Sequence, residues 1–383
     1  MLPALSPQSQ ATLVGRVWRP GIGPALVRID GDDVVDITCR AFPTMSDLLA
    51  GDDPVSEVRN APGDSVCSAS DLIQGSTPDA GADDLRWLAP CDLQAIKACG
   101  VTFAASMVER VIEEQAAGDP DRAEAIRTKV GGIIGDSLAG LVPGSPEAGE
   151  VKRVLLAEGL WSQYLEVGIG PDAEVFTKAQ PMSAVGWGAA VGLHPVSTWN
   201  NPEPEIVLAV NPAGQIVGAS LGNDVNLRDV EGRSALLLGK AKDNNASCSI
   251  GPVIRLFDEG FTLEDVRKAE LTMTVSGADG FELTGASSMS EISRDPADLV
   301  AQTIGAHHQY PDGFMLFCGT MFAPVQDRDA PGQGFTHHVE DVVRISEPTL
   351  GSLQNSVRLS SDCPEWAFGT RALMRNLAER QLL

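Results

Sequence analysis

Short apolar runs separated by turn residues occupy the first part of the chain. Three of these runs have the length and composition of β-strands, namely ATLVGRVWRP, PALVRID and DDVVDIT. One short helix is predicted in FPTMSDLLAG. A polar stretch follows and ends at RWLAPCD. We therefore predict a small β-rich N-terminal domain over residues 1–92 and a second domain over residues 93–383, since one hydrophobic core seldom serves so long a chain.

Helical spacing of apolar residues begins near residue 100. Phe103, Met107 and Val111 are four residues apart and therefore lie on one face of a helix. A second helix is predicted from Asp119 to Lys129. The glycine-rich tract over residues 130–150 lacks the spacing of a phosphate-binding loop, so we interpret it as an irregular connection.

Strand-like segments dominate the chain after residue 174. They are EVFTKAQ, EPEIVLAVN, QIVGASLGNDV, ELTMTVSG, GFELTG, GFMLFCGTMF and DVVRISE. One helix is predicted in DPADLVAQTIGAHH, where Asp295 and Pro296 form a typical helix start. Helices are too sparse for a doubly wound parallel sheet. The pattern predicts an α+β, β-rich fold with mixed or antiparallel sheets and flanking helices.

The charge balance is strongly acidic, with 28 Lys and Arg residues against 52 Asp and Glu residues and a net charge of −24. This argues against nucleic acid or a membrane surface as a partner, because both require a basic face. An anionic substrate would need a local positive centre, which a bound metal ion supplies. Seven scattered cysteines without a CxxC pair indicate reduced thiols. With neither a signal-peptide pattern nor a long apolar run, we expect a cytoplasmic protein.

Three carboxylates form the most distinctive local pattern. Glu203 and Glu205 are two residues apart in a predicted strand, so their side chains face the same side. Pro204 between them indicates an edge strand or the first residue of a strand. Asp224 follows near the end of the next strand, and three such oxygen ligands suit Mg²⁺ or Mn²⁺. Solvated surface carboxylates give the same pattern, so spacing alone leaves both interpretations open.

Five motifs occur in the order PEPEIVLAV, GNDVNLRD, LLLGKAKDNNASCSIGP, DGFMLFCGT and DVVRISEPTLGSLQNSV. Together they resemble the fumarylacetoacetate hydrolase family over roughly residues 97–360. The resemblance implies a mixed β-roll catalytic domain, a smaller β-rich N-terminal domain and a homodimer or homotetramer. It also implies that Glu203, Glu205 and Asp224 bind Mg²⁺ (or Mn²⁺) and that the active-site lysine is Lys240.

Two departures from the hydrolytic members indicate a different branch. Hydrolytic members carry a histidine where GVTFAAS has Ser106, and a serine cannot act as the same base without a partner. The pattern from Gly100 to Arg110, followed by Glu174 in EVFTKA, resembles the branch that dehydrates 2-keto-3-deoxy sugar acids. The implied activity is a metal-dependent dehydratase (hydro-lyase) of 2-keto-3-deoxy-D-xylonate or the arabinonate epimer, giving 2-oxoglutarate semialdehyde.

The same resemblance implies roles for single residues. It places Glu174 and Lys240 as the acid/base pair, without deciding which is the acid. The implied contacts of the small 2-oxo sugar acid are Ser106, Arg110, Lys178 and Thr320. Two alternatives stay open: an acylpyruvate C–C hydrolase or decarboxylase of the same family, and a non-catalytic metal-dependent binder of sugar acids. Lys240 also fits a solvated lysine after a leucine run.

Overall fold

A computed structural model describes residues 11–117, 119, 122, 123, 126, 141–157, 159, 161–331 and 333–383. Most of the helix predicted from Asp119 to Lys129 and much of the glycine-rich tract lie outside these residues. The described strands are β1 Leu13–Arg19, β2 Gly23–Asp30, β3 Asp33–Asp36, β4 Asp64–Ser68, β5 Arg86–Leu88, β6 Ala95–Gly100, β7 Glu174–Ala179, β8 Ala190–Leu193, β9 Pro204–Val210, β10 Ile216–Asp224, β11 Cys248–Leu256, β12 Glu270–Ser276, β13 Glu282–Ser288, β14 Phe314–Phe317, β15 Val342–Glu347 and β16 Gly351–Leu359.

Two sheets contain these strands. Along the larger sheet the order is β4, β3, β2, β1, β11, β10, β9, β14, β6 and β7, and β5 also pairs with β1. The smaller sheet has the order β13, β12, β15, β16 and β8. Most neighbours are antiparallel, whereas β14 with β6 and β16 with β8 are parallel. The sheets are therefore mixed, which confirms the predicted β-rich α+β fold.

The two sheets share one core. Leu208 and Leu221 of the larger sheet belong to the same buried cluster as Met273, Ile345 and Leu353 of the smaller one. These positions alternate with more polar residues along β12 and β15, as expected for strands with one face against a core. The central strand β9 is buried along its whole length, so it is covered on both faces.

The strands of the predicted N-terminal domain continue the sheet of the second domain. β1 pairs with β11 through Leu13 and Arg255 and through Val14 and Ile254. Hydrogen bonding between strands therefore crosses the boundary that we place at residue 92. That boundary stays a prediction about domain organisation.

Helices flank the sheets. Those with described bounds are α1 Met45–Ala50, α2 Pro54–Asn60, α3 Ala69–Gly75, α4 Ala104–Ala116, α5 Pro146–Ala157, α6 Gln163–Ile169, α7 Arg228–Glu231, α8 Leu238–Lys242, α9 Leu263–Val266, α10 Pro296–Thr303 and α11 Thr370–Glu379. In α4, the predicted apolar face packs Met107 and Val111 with Leu165 of α6. Asp295 accepts a hydrogen bond from Ala297 and starts α10, as the sequence predicts. None of the helices in the described ranges is long and apolar enough to cross a bilayer.

Candidate metal and substrate site

Neighbouring strands bring the three predicted carboxylates together. Glu203 precedes β9 and Glu205 lies within it, while Asp224 ends β10, which pairs with β9. The Asp224 backbone N–H donates to the Glu203 carbonyl at 3.0 Å, which fixes the register where the two strands meet. Each side chain is 1% exposed, and one oxygen of each carboxylate lies within 4.8 Å of the others. We call Glu203, Glu205 and Asp224 the carboxylate cluster.

Local backbone features hold Glu205 in place. Pro204 is the first residue of β9, and β9 lies between β10 and β14, so its position is a strand start rather than a sheet edge. The Gly319 N–H donates to Glu205 Oε2 at 2.7 Å and the Thr320 hydroxyl donates to Oε1 at 3.3 Å. Gly319 has a φ of +105°, and a Cβ there would lie 2.0 Å from Thr102 Oγ1. Only glycine therefore allows this backbone N–H to reach the carboxylate.

Two buried lysines neutralise part of the carboxylate cluster. Lys242 Nζ lies 2.5 Å from Glu203 Oε2 and 3.1 Å from Asp224 Oδ2. Lys178 Nζ lies 2.9 Å from Asp224 Oδ1 and donates to the Lys242 carbonyl at 2.5 Å. Burial opposes the charge of Lys242, but Asp224 and Glu203 outweigh it and raise the pKa of this ammonium.

The predicted lysine, Lys240, is not at the carboxylate cluster, because its side chain is exposed. The reason is helical geometry: residues two positions apart on α8 point to different sides, so Lys242 faces inward while Lys240 faces solvent. We therefore replace Lys240 by Lys242 as the lysine of the site. The motif LLLGKAKD contains both residues, and the burial of Ala241 and Lys242 is decided by packing, not by local sequence.

Arg110 connects the carboxylate cluster to further buried charges. Its guanidinium contacts Glu203 and pairs with Glu113 at 2.6 Å and Glu231 at 3.1 Å. Arg228 in turn forms an ion pair with Glu113, with 3.1 Å between Arg228 Nε and Glu113 Oε1. The sequence predicted Arg110 at the site but missed Glu113, Arg228 and Glu231. Glu113 is three residues after Arg110 on α4, the spacing of a helical ion pair, which was the available signal.

Glu174 starts β7 opposite Gly100 of β6. Burial and the Glu231 carboxylate raise the pKa of Glu174 to about 7, although Arg110 and Lys242 oppose this shift. A Cβ at position 100 would lie 1.9 Å from Glu174 Oε2, so the missing side chain of Gly100 leaves space for the carboxyl group. A carboxyl with a pKa near neutrality can both accept and donate a proton.

Ser106 has a local bond instead of a contact with the carboxylate cluster. It is buried on α4, and its hydroxyl donates to the Phe103 carbonyl at 2.9 Å. Several other buried polar atoms have no hydrogen-bond partner within the described residues: Asn201 Oδ1, both amide atoms of Asn223 and Asn226, and Arg228 Nη2. Buried groups of this kind normally bind water or a ligand. No motif in the sequence indicates that these polar atoms are buried without a partner.

The electrostatics of the carboxylate cluster fit a divalent cation. Burial opposes ionisation of Glu203, but Lys242 and Arg110 lower its pKa to about 2. For Glu205, burial and the charges of Asp224 and Glu203 raise the pKa well above its usual range. The carboxylate cluster thus lacks positive charge on the Glu205 side. The ionisable groups around it include more carboxylates than cations: Glu113, Glu174, Glu203, Glu205, Asp224 and Glu231 against Lys178, Lys242, Arg110 and Arg228. A Mg²⁺ or Mn²⁺ ion held by oxygen ligands would supply positive charge there.

Comparison with known proteins agrees with this geometry. Residues 171–358 match the family model of the fumarylacetoacetate (FAA) hydrolase C-terminal domain. A probable 2-keto-3-deoxyxylonate dehydratase of Haloferax volcanii is 34% identical over 194 residues, which are 51% of this chain and 63% of that protein. A 2-dehydro-3-deoxy-D-arabinonate dehydratase of Saccharolobus solfataricus is 28% identical over 185 residues, 48% of this chain and 58% of that protein. The chain thus spans less than two thirds of either relative.

Solved structures confirm the fold. A 2-keto-3-deoxyarabinonate dehydratase structure superimposes with a TM-score of 0.61 at 20% identity, covering 91% of this chain and 99% of that one. A structure of 2-keto-3-deoxy-D-arabinonate dehydratase with magnesium and 2,5-dioxopentanoate gives 0.60 at 19% identity with the same coverage. A 5-carboxymethyl-2-hydroxymuconate delta-isomerase from Mycobacterium smegmatis gives 0.52 at 20% identity, covering 90% of this chain and 98% of that one. At these identities the similarity concerns the fold alone.

Proposed function

We propose that the protein is a metal-dependent hydro-lyase of the fumarylacetoacetate hydrolase family, whose C-terminal family model matches residues 171–358. Its substrate is a 2-keto-3-deoxy pentonate, and its product is 2-oxoglutarate semialdehyde (2,5-dioxopentanoate). The names of the two curated relatives support this choice of reaction. The observation that carries the proposal is the carboxylate cluster, three buried carboxylates with one oxygen each within 4.8 Å of the others, beside the buried cations Lys242 and Arg110.

The reaction requires removal of a C3 proton, stabilisation of the charge that develops on the 2-oxo oxygen, and loss of the C4 hydroxyl. The carboxylate cluster would hold Mg²⁺ or Mn²⁺, and such an ion supplies Lewis-acid stabilisation of that oxygen. Lys242 and Arg110 are the buried cations beside the carboxylate cluster. They offset the charge of the substrate carboxylate and of the developing oxyanion, because both remain protonated there.

Glu174 moves the proton in this proposal. Its carboxylate takes the proton from C3, and the resulting carboxylic acid then gives that proton to the departing C4 hydroxyl, which leaves as water. A pKa of about 7 suits both steps. The C3=C4 double bond then moves to C4=C5 as C5 loses a proton and C3 gains one. The resulting enol loses its hydroxyl proton and gains a proton at C4, so that C5 becomes an aldehyde. The overall change is the loss of one water.

The xylonate and arabinonate substrates expected from the sequence do not differ in stereochemistry. In a 2-keto-3-deoxy pentonate, C2 is a carbonyl and C3 is a methylene, so C4 is the one remaining stereocentre. The D-xylonate and D-arabinonate derivatives are therefore the same compound, and the epimers to compare are the D and L forms at C4. The buried amides of Asn223 and Asn226, which lack partners in the described part of the chain, can serve the substrate hydroxyls.

Two observations weigh against the alternatives. A C–C hydrolase needs a base that activates water, and at the corresponding position Ser106 is bonded to the Phe103 carbonyl. A binder of sugar acids needs no proton-transfer group, whereas the surroundings of Glu174 raise its pKa to about 7. The homodimer or homotetramer implied by the family resemblance remains a prediction.

One assay separates the three functions. The purified protein is incubated with Mg²⁺ and the D or L C4 epimer, and product is detected through a semialdehyde dehydrogenase and its reduced nicotinamide. We expect Mg²⁺-dependent production of the semialdehyde from one epimer, and its loss in Glu174→Gln. Turnover of an acylpyruvate, with neither epimer consumed, would support the hydrolase instead. Binding of an epimer, seen by calorimetry, without any turnover would support the binder.

A further inference from the structure

A second cavity lies away from the carboxylate cluster. It has a volume of about 190 Å³ and is enclosed by β1, β5, the turn at residues 182–187 and the segment at residues 364–368. The last segment lies beyond the matched family region, which ends at residue 358. It is attached by Asn245, whose amide donates to the Pro364 carbonyl at 3.2 Å, and by an edge contact of Trp18 with Phe368 at 5.1 Å.

Five aromatic side chains line the cavity. The lining residues include Trp18, Trp87, Trp187, Trp366 and Phe368. An apolar protein cavity of roughly 150 Å³ holds a benzene molecule, so a volume of about 190 Å³ accommodates one six-membered ring with a small substituent. Flat indole walls favour a flat, apolar occupant.

Two polar side chains in the wall, Trp187 and Arg86, can donate hydrogen bonds to a ligand. Trp187 is 7% exposed, and its indole N–H has no acceptor within the described residues. Arg86 lies over the Trp18 ring at 5.1 Å and donates to the backbone carbonyls of Gly81 and Asp84. It forms no ion pair with a carboxylate in the described ranges, and burial lowers its pKa, with the charge of Asp84 opposing.

The other arginine in the wall is already paired. Arg16 donates to the Ala89 carbonyl at 3.2 Å and lies 3.4 Å from Asp92. Arg86 is therefore the guanidinium in this cavity with capacity for an anion. The carboxylate that also lines the cavity, Glu365, is exposed, so Arg86 can pair with an anionic ligand.

We propose that this cavity is a second ligand site, which binds a small aromatic carboxylate. The ring lies between the indoles, the carboxylate pairs with Arg86, and the Trp187 N–H donates to an oxygen of the ligand. Asn245 and Ala246 also line the cavity, so the ligand contacts the turn that follows Lys242. The site is independent of the proposed dehydration, and its occupancy is measured without any substrate.

Tryptophan fluorescence gives a direct test, since four of the six tryptophans line the cavity. Benzoate is titrated into the full chain, and benzamide, which has the same ring without the charge, is titrated in parallel. We expect a saturable fluorescence change with benzoate that calorimetry reproduces. Benzamide should bind at least about tenfold more weakly than benzoate, because it lacks one charge-assisted hydrogen bond. Equal affinity for both probes, or no saturable change with benzoate, would overturn the proposal.

Substitutions in the cavity wall test whether benzoate binds in this cavity. Arg86→Gln should weaken benzoate binding about tenfold, while Arg153→Gln, an exposed arginine on α5, should leave it unchanged. Trp187→Phe keeps an aromatic ring but removes the N–H, and should weaken binding a few fold. Ala80→Trp fills the cavity from a surface turn and keeps the test decisive if Arg86→Gln does not fold. Unchanged benzoate affinity in the folded Arg86→Gln or Ala80→Trp protein would refute the site.

Discussion

Replacement of Lys242 by methionine, compared with Lys240→Met, tests whether the buried lysine is the lysine of the site. Methionine keeps the length of the side chain and removes the charge. Lys242 is 2% exposed and contacts two carboxylates, whereas Lys240 is exposed two residues earlier on the same helix. The two variants therefore make the same chemical change in opposite environments.

The surroundings of each lysine determine how much its replacement should lower stability and activity. Removal of one partner from a buried ion pair costs about 3–5 kcal/mol. Here Glu203 keeps Arg110 and Asp224 keeps Lys178 at 2.9 Å, so we expect about 3 kcal/mol for the metal-free Lys242→Met protein. Loss of a cation beside the developing oxyanion should lower kcat about 10²–10³-fold. Lys240→Met is a surface substitution, which should change the free energy of unfolding by about 0.5 kcal/mol or less. We therefore expect its activity to stay within about twofold of the parent.

Turnover of the D and L C4 epimers is measured with saturating Mg²⁺, and thermal unfolding is followed with and without the metal. Lys242→Met should still show a rise in Tm with Mg²⁺, larger than in the parent protein, because the cation replaces a lost positive charge. That result separates a lost reaction step from a damaged fold. Equal loss of activity in both variants, or an active Lys242→Met protein, would refute the assignment.

Two further predictions concern the carboxylates. Glu174 must be ionised to take the C3 proton, so kcat/KM should rise with pH through a value at or below about 7, and the rise should be absent in Glu174→Gln. Because its folded-state pKa is raised, its contribution to stability is present below about 4.5 and lost as pH rises through about 7. Glu205→Gln removes one of three close charges, so the metal-free protein should gain Tm while the Mg²⁺-induced rise in Tm disappears. A metal-induced rise of unchanged size in Glu205→Gln would contradict the metal site.

Sequence patterns were sufficient to predict features that depend on a single strand or helix. The apolar runs in EPEIVLAVN and QIVGASLGNDV predict β9 and β10, and their shared register follows once both strands are paired. The pair Glu203 and Glu205 faces one point because strand side chains repeat every two residues. The apolar spacing of α4 likewise predicts its buried face. Elements without a strong period, such as β11 and α11, were missed.

Tertiary packing determines which charged side chains are buried and which of them form ion pairs, and local sequence does not predict either. Lys240 and Lys242 are chemically equivalent in LLLGKAKD, and only the way α8 lies on the sheet distinguishes them. Glu113 and Glu231 look like ordinary surface acids in sequence, yet both are buried because Arg110 reaches them from α4. Ionic contacts between distant segments leave no periodic trace along the chain. The sequence therefore indicates the carboxylate cluster with Arg110 and Lys178, but not Glu113, Arg228 and Glu231.

An excess of carboxylates over cations around the carboxylate cluster would favour the binding of a divalent ion. Burial and the nearby Glu231 raise the pKa of Glu174 to about 7. In the proposed reaction, a monoanionic substrate adds one negative charge next to Glu174. Transfer of the C3 proton to the Glu174 carboxylate would move the negative charge of Glu174 onto the substrate, so the total charge of the site would stay the same. The positive groups that hold the substrate would therefore also stabilise the intermediate.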